Sequence, residues 1–133
     1  MKTCKFDSKK FASALQERCP FILFAMVNGL DAAGQPGWLK APELSIYVMP
    51  DVGPWQALEQ ILHVLAVMEP GVFFEVTLLN RVDAVTRFRA AGGECLFVRE
   101  GMQEEYNHFV RQAGLDYRIM RARGRRLGII DND

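Results

Sequence analysis

Three carboxylates occupy conspicuous places in this chain. Glu75 interrupts the otherwise apolar run 72–79, Glu43 opens the alternating segment 43–49, and Asp31 lies in the glycine- and proline-rich stretch 29–42. A charged side chain in a core strand is costly unless it is solvated, paired or bound to a metal. Acids two apart on one strand share a face and, with a third from a neighbouring strand, can hold paired Mg²⁺ ions for phosphoryl transfer. Here the residue two beyond Glu43 is Ser45, a neutral oxygen. The residues alone leave two readings open: a metal site built from Glu43, Glu75 and Asp31, or a solvated sheet edge at which Glu75 pairs with an arginine.

Other reactive side chains carry weaker patterns. After position 115 the chain has Arg118, Arg121, Arg123, Arg125 and Arg126 against three acids, an arginine-rich tail over 118–133. Such a tail can bind RNA, a nucleotide phosphate or an acidic partner, or can serve as a solvated helix end that suits the helix dipole. His63 and His108 have no ligand-spaced cysteine, histidine or acid beside them. Cys95, flanked by Leu96 and Phe97, reads as a small buried apolar residue, and nothing marks a base that would activate its thiol.

The elements that must position these groups follow from periodicity. Segment 8–18 spaces Phe11, Ala14, Leu15 and Arg18 as an amphipathic helix, with Asp7 or Ser8 as its N-cap. The continuously apolar run 21–27 ends at Asn28-Gly29, which predicts a strand buried on both faces and then a turn. A long loop occupies 29–42, with Trp38 and Leu39 folding it back, and a half-polar strand follows over 43–49. Pro54 opens a helix over 53–68 with a stripe of Trp55, Leu58, Ile61, Leu62, Leu65 and Met68. A third strand covers 72–79, with Phe73, Glu75 and Thr77 on one face. A helical stretch to Ala91 stops at Gly92-Gly93, a short strand covers 94–98, and a last helix over 102–121 aligns Tyr106, Phe109, Val110, Ala113, Tyr117 and Met120. This order predicts an α/β or α+β fold: a mixed sheet of about four strands with helices packed on one or both faces.

The chain has 133 residues, half of them apolar and about a quarter charged, which fits one domain over 1–133 and excludes a disordered or fibrous protein. Sixteen basic and sixteen acidic side chains cancel, so no global field draws it to nucleic acid or an anionic membrane. Three widely spaced cysteines, with no pattern of a secretory leader or spanning run, lead to the expectation of a cytoplasmic protein.

Two stretches carry a family likeness. Phe74-Glu75-Val76-Thr77-Leu78-Leu79-Asn80-Arg81, followed by Phe88-Arg89-Ala90-Ala91-Gly92-Gly93-Glu94-Cys95-Leu96-Phe97-Val98-Arg99, resembles the carboxy-terminal half of minimal nucleotidyltransferases of the polymerase-β superfamily. That family reads an acid, a few apolar residues, Leu-Asn, a helix, a Gly and a strand ending Leu-Tyr-x-Arg, with Glu75 here in the place of its third carboxylate. The resemblance implies a nucleotidyltransferase-like fold over most of the chain. It also locates departures. In active members the first strand ends in Gly-Ser, which binds the triphosphate; here that place is held by Ala25-Met26, and methionine cannot donate that hydrogen bond. The two metal-binding aspartates fall on Glu43 and Ser45, so one of three carboxylates is missing from a chemistry that depends on charge neutralisation.

The expectation is therefore a degenerate site and a non-catalytic protein that works by binding another protein and needs no cofactor. The resemblance names a partner class, the small all-helical HEPN-type proteins that such chains accompany as antitoxins, with the loop 29–42 and the arginine tail as contact surfaces; a homo-oligomer is the other arrangement. The rival expectation is an enzyme that moves a nucleotide from ATP or another triphosphate to a hydroxyl. It would use Mg²⁺ on Glu43, Glu75 and Asp31, with Asn28, Gly29 and Ser45 near the phosphates. A third, RNA binding by the tail with the domain as scaffold, ranks last because no aromatic stacking platform is interleaved with the arginines.

Overall fold

The computed structural model describes residues 6–37 and 40–126. In chain order the elements are α1 (Ser8–Arg18), β1 (Ile22–Asn28), β2 (Glu43–Val48), α2 (Pro54–Met68), β3 (Glu75–Leu78), a 3₁₀ turn (Leu79–Arg81), α3 (Ala84–Ala91), β4 (Glu94–Val98) and α4 (Gln103–Arg126). They form a mixed four-stranded sheet in the order β3-β2-β1-β4. β1 runs antiparallel to both β2 and β4, and β2 runs parallel to β3. The predicted α/β architecture is the observed one, with helices on both faces.

Each face has its own core. Ile22, Ala25, Leu44, Ile46 and Val48 pack with Phe11 and Leu15 of α1 and Ile61 and Leu65 of α2. Leu23, Phe24 and Met26 pack on the opposite side with Leu79, Ala90 and Phe109. Leu23 and Phe24 join the same cluster because the register slips between Ile22 and Phe24, which breaks the strict alternation of the strand. An aromatic cluster seals this side: Phe24 stacks on Tyr47 with centroids 4.9 Å apart and meets Tyr106 at 5.2 Å and Phe109 at 5.4 Å.

Local signals explain the element ends. Asp7 caps α1 by accepting from the amides of Lys9 and Lys10, and Asp83 caps α3 by accepting from the Thr86 amide at 2.8 Å. Thr86, first through its side chain and then through this amide, holds the Asp83 carboxyl below its usual range. The stretch 72–79 is strand only over Glu75–Leu78, and the Leu-Asn pair enters a 3₁₀ turn. From this turn the Asn80 amide mimics a strand residue: it donates to the Val48 carbonyl at 2.8 Å and accepts from the Val48 amide at 3.0 Å. Arg99, the residue after β4, ties the last strand to the first helix. Its guanidinium donates to the carbonyls of Ile22 at 2.7 Å, Gln16 at 3.0 Å and Cys19 at 3.1 Å. Two of these are carbonyls at or just beyond the end of α1, which the helix itself leaves without a partner. Burial pushes the Cys19 thiol up, against the opposing effect of Arg99.

Several expectations need correction. The α2 stripe is turned: Ala57, Ile61, Val64 and Leu65 face the core, while Trp55 is 81% and Leu62 47% exposed. Cys95 is exposed, because β4 is an edge strand. The arginine-rich segment is no tail up to residue 126, since α4 continues through it. The expected fold-back by Trp38 and Leu39 lies outside the described residues.

Replacing Arg99 with Ala removes three charge-assisted bonds, so urea unfolding should show a loss of about 3 kcal/mol. Because the Asp83 carboxyl titrates below its unfolded value, its cap is present above the unfolded pKa and is lost as pH falls through the folded one. Hydrogen exchange should show the Thr86 amide losing protection at pH values below the usual carboxylate range, while the α4 amides keep theirs.

Candidate functional site

The sheet register brings the expected acids side by side. Glu43 of β2 lies directly beside Glu75 of β3, and Asn28 of β1 lies directly across from Glu43. One step inward, Met26, Ser45 and Thr77 form the next row. Glu75 is exposed, so the strand does not bury its charge, and the cost foreseen for a carboxylate in a core strand does not arise there.

An arginine does meet an acid here, but at Glu43 rather than Glu75. The Arg89 Nε lies 3.2 Å from Glu43 Oε2, with the carboxylate side chain only 20% exposed. Arg89 comes from the last turn of α3, and the same residue's carbonyl accepts a 2.9 Å hydrogen bond from the Asn28 side-chain amide. Backbone packing fixes this arrangement. A Cβ on Gly93 would stand 2.8 Å from both the Asn28 Oδ1 and the Val27 carbonyl, so only glycine lets the turn after α3 close onto the end of β1. Gly29, at φ +88°, then turns the chain away from β1.

The remaining candidates are dispersed. Met26 is fully buried among Phe24 and Phe109, and Ala25 points to the other face, into the core made with α1 and α2. Ser45 is buried between Met26 and Thr77. Asp31 serves its own loop: its Oδ1 accepts from the amides of Ala33 and Gln35 at 2.9 Å each. Among the described residues no group of three or more His, Cys, Asp or Glu side chains is placed to hold a metal ion. His63 and His108 are exposed.

A cleft that no sequence pattern announces opens beyond Tyr47, on the same side of the sheet. It has a volume of about 760 Å³ and lies between Tyr47, Arg87 of α3 and the first half of α4, including Arg111. Arg87 is poorly matched there. Its Nη2 makes one long bond, 3.4 Å to the Asn80 carbonyl, and its buried Nε–H has no partner. The sequence signal for this residue is weak, because one arginine on a short helix has no distinctive spacing.

No protein-family model matches the chain, and no curated protein matches it. Solved structures do. A chain of a mutant MntA toxin–antitoxin pair superposes with a TM-score of 0.71 at 15% identity, over 92% of this chain and 95% of that one. A toxin–antitoxin structure with AMP-PNP gives 0.69 at 11% identity, over 92% and 95%. The tri-AMPylated Shewanella oneidensis HEPN toxin in complex with its MNT antitoxin gives 0.63 at 11%, over 90% and 91%.

If Arg89 and Ser45 are what bar a cation from this edge, the double variant Arg89→Ala, Ser45→Asp should bind Mn²⁺ at least about tenfold more tightly than the native chain, a gain of about 1.4 kcal/mol. The check is the electron paramagnetic resonance signal of free Mn²⁺ during titration. The element order, the sheet and the extent of these superpositions agree: over nearly its whole length the chain has the minimal nucleotidyltransferase fold.

Proposed function

We propose that this chain is a non-catalytic protein of the minimal nucleotidyltransferase fold that acts by binding another protein, as the antitoxin-like partner of a small helical HEPN-type protein. The observation that carries the loss of catalysis is the Glu43–Arg89 ion pair. Glu43 stands at the position matching the family's first metal-binding aspartate, and a guanidinium from the chain itself neutralises it. The other two departures act in the same direction. Ser45 replaces the second carboxylate with a buried neutral side chain, and Met26 fills the place of the triphosphate-binding serine with a fully buried thioether. The residues present do not fit a pair of magnesium ions, because the carboxylates that remain are Glu75 and a Glu43 already engaged.

The partner class rests on the structures that superpose on this chain, which are toxin–antitoxin complexes, one of them containing a HEPN toxin. The chain spans almost the full length of the chains on which it superposes.

Two measurements test this reading. The gene beside the one encoding this chain should encode a small all-helical protein that co-purifies with it at fixed stoichiometry. Calorimetry with ATP and Mg²⁺ should give no binding heat up to about 1 mM, the range above which affinity falls below about 4 kcal/mol. Micromolar binding that disappears in Glu75→Ala would instead establish a working nucleotide site.

A further inference from the structure

The outward face of α4 is charged in one sense and apolar at its centre. Arg111, Leu115 and Ile119 follow one another at four-residue intervals and so form a single row about 12 Å long, with Arg118 beside it. Leu115 is 51% and Ile119 43% exposed. Arg111 and Arg118 are exposed and have no ion-pair partner among the described residues. From Tyr106 to Arg126 the sequence has one acid, Asp116, whose Oδ1 already accepts from the Gln112 side chain at 2.9 Å. At its start the row meets the cleft that Arg111 lines together with Arg87 and Tyr47. There the half-buried Arg87 guanidinium has an unpartnered Nε–H and no carboxylate within ion-pair distance among the described residues. A buried donor left unmade is costly, and an incoming carboxylate would satisfy the unused donors of that group.

From this charge and shape we infer that the α4 row and the adjoining cleft are the docking surface for an acidic amphipathic helix of a protein partner. The inference rests on the protein-binding reading above and assigns it a surface. Leu115 and Ile119 take the partner's apolar stripe, Arg111 and Arg118 flank it with charge, and a partner carboxylate reaches Arg87. A nucleic acid suits the surface less well. The two exposed aliphatic side chains offer bases no stacking platform.

The test uses the full chain and a fluorescein-labelled synthetic helix of about 18 residues, five turns, with leucines at three- and four-residue spacing and glutamates on both flanks. Fluorescence anisotropy should show saturable binding that weakens with added salt. The double variant Arg111→Glu, Arg118→Glu and the single variant Leu115→Ser should each lower affinity at least about tenfold. Trp55→Ser, on α2 across the sheet, should leave it unchanged. All four substituted side chains are exposed, and circular dichroism melts verify that the variants fold. Absence of saturable binding, equal binding by the variants, or displacement of the peptide by a stoichiometric single-stranded RNA would each overturn the assignment. If the helical partner co-purifies with the double variant as well as with the native chain, the surface is wrong and the protein-binding reading stands. If it co-purifies with neither while the peptide still binds as described, the surface stands and that partner class fails.

Discussion

Six consecutive residues of β1, from Ile22 to Val27, are buried, and a strand in that condition must be paired on both edges and covered on both faces. β2 and β4 supply the edges; α1 and α2 cover one face, and α4 with the end of α3 covers the other. The polar groups of a site can then lie only where this double cover ends, at Asn28 and the strand beginnings beside it. The burial of Met26 is part of the same constraint. A side chain at that position either contacts a ligand or fills the core under Phe109, and a methionine packed to zero exposure fills the core.

Electrostatics at the edge follow from the register. Parallel pairing sets Glu43 and Glu75 abreast, where two like charges repel. The exposure of Glu75 allows water to screen it, and Arg89 offsets the more enclosed Glu43. One guanidinium carries a single charge and a fixed planar fork, so it can compensate one carboxylate but cannot act as the divalent centre around which phosphoryl oxygens are organised. The ion pair depends on remote backbone fit, because Arg89 is held by Asn28, and Asn28 can approach only because Gly93 lacks a side chain.

Much of the fold was legible because its signals are local. Helix α1 with its Asp7 cap, the apolar β1 and the strand Glu94–Val98 lie where periodicity and turn residues placed them. The α2 stripe was misread at Trp55 and Leu62, since an apolar residue on a helix signals a buried face only when the opposite face is polar, and α2 has apolar residues on both. Cys95 was misread because exposure of β4 depends on its position at the sheet edge, which strand periodicity does not reveal. At the site, the juxtaposition of Glu43 and Glu75 was legible from strand spacing. The Arg89 partner was not, because a contact across 46 positions of sequence depends on how α3 packs. Nor was the commitment of Asp31 to its own turn, where two backbone amides take up its carboxylate oxygen.

The Arg99 bonds join residues 77 to 83 positions apart, and β4 completes the sheet by pairing with β1 across a similar span. During synthesis the first half of the chain therefore emerges with one edge of its most apolar strand open and with the end of α1 unsecured. Neither is closed until residue 99 has left the ribosome. Closing so long a loop is slow, and an open apolar edge is a template for pairing with another chain. The nascent protein thus passes through an interval in which the β4 side of its most apolar strand is open.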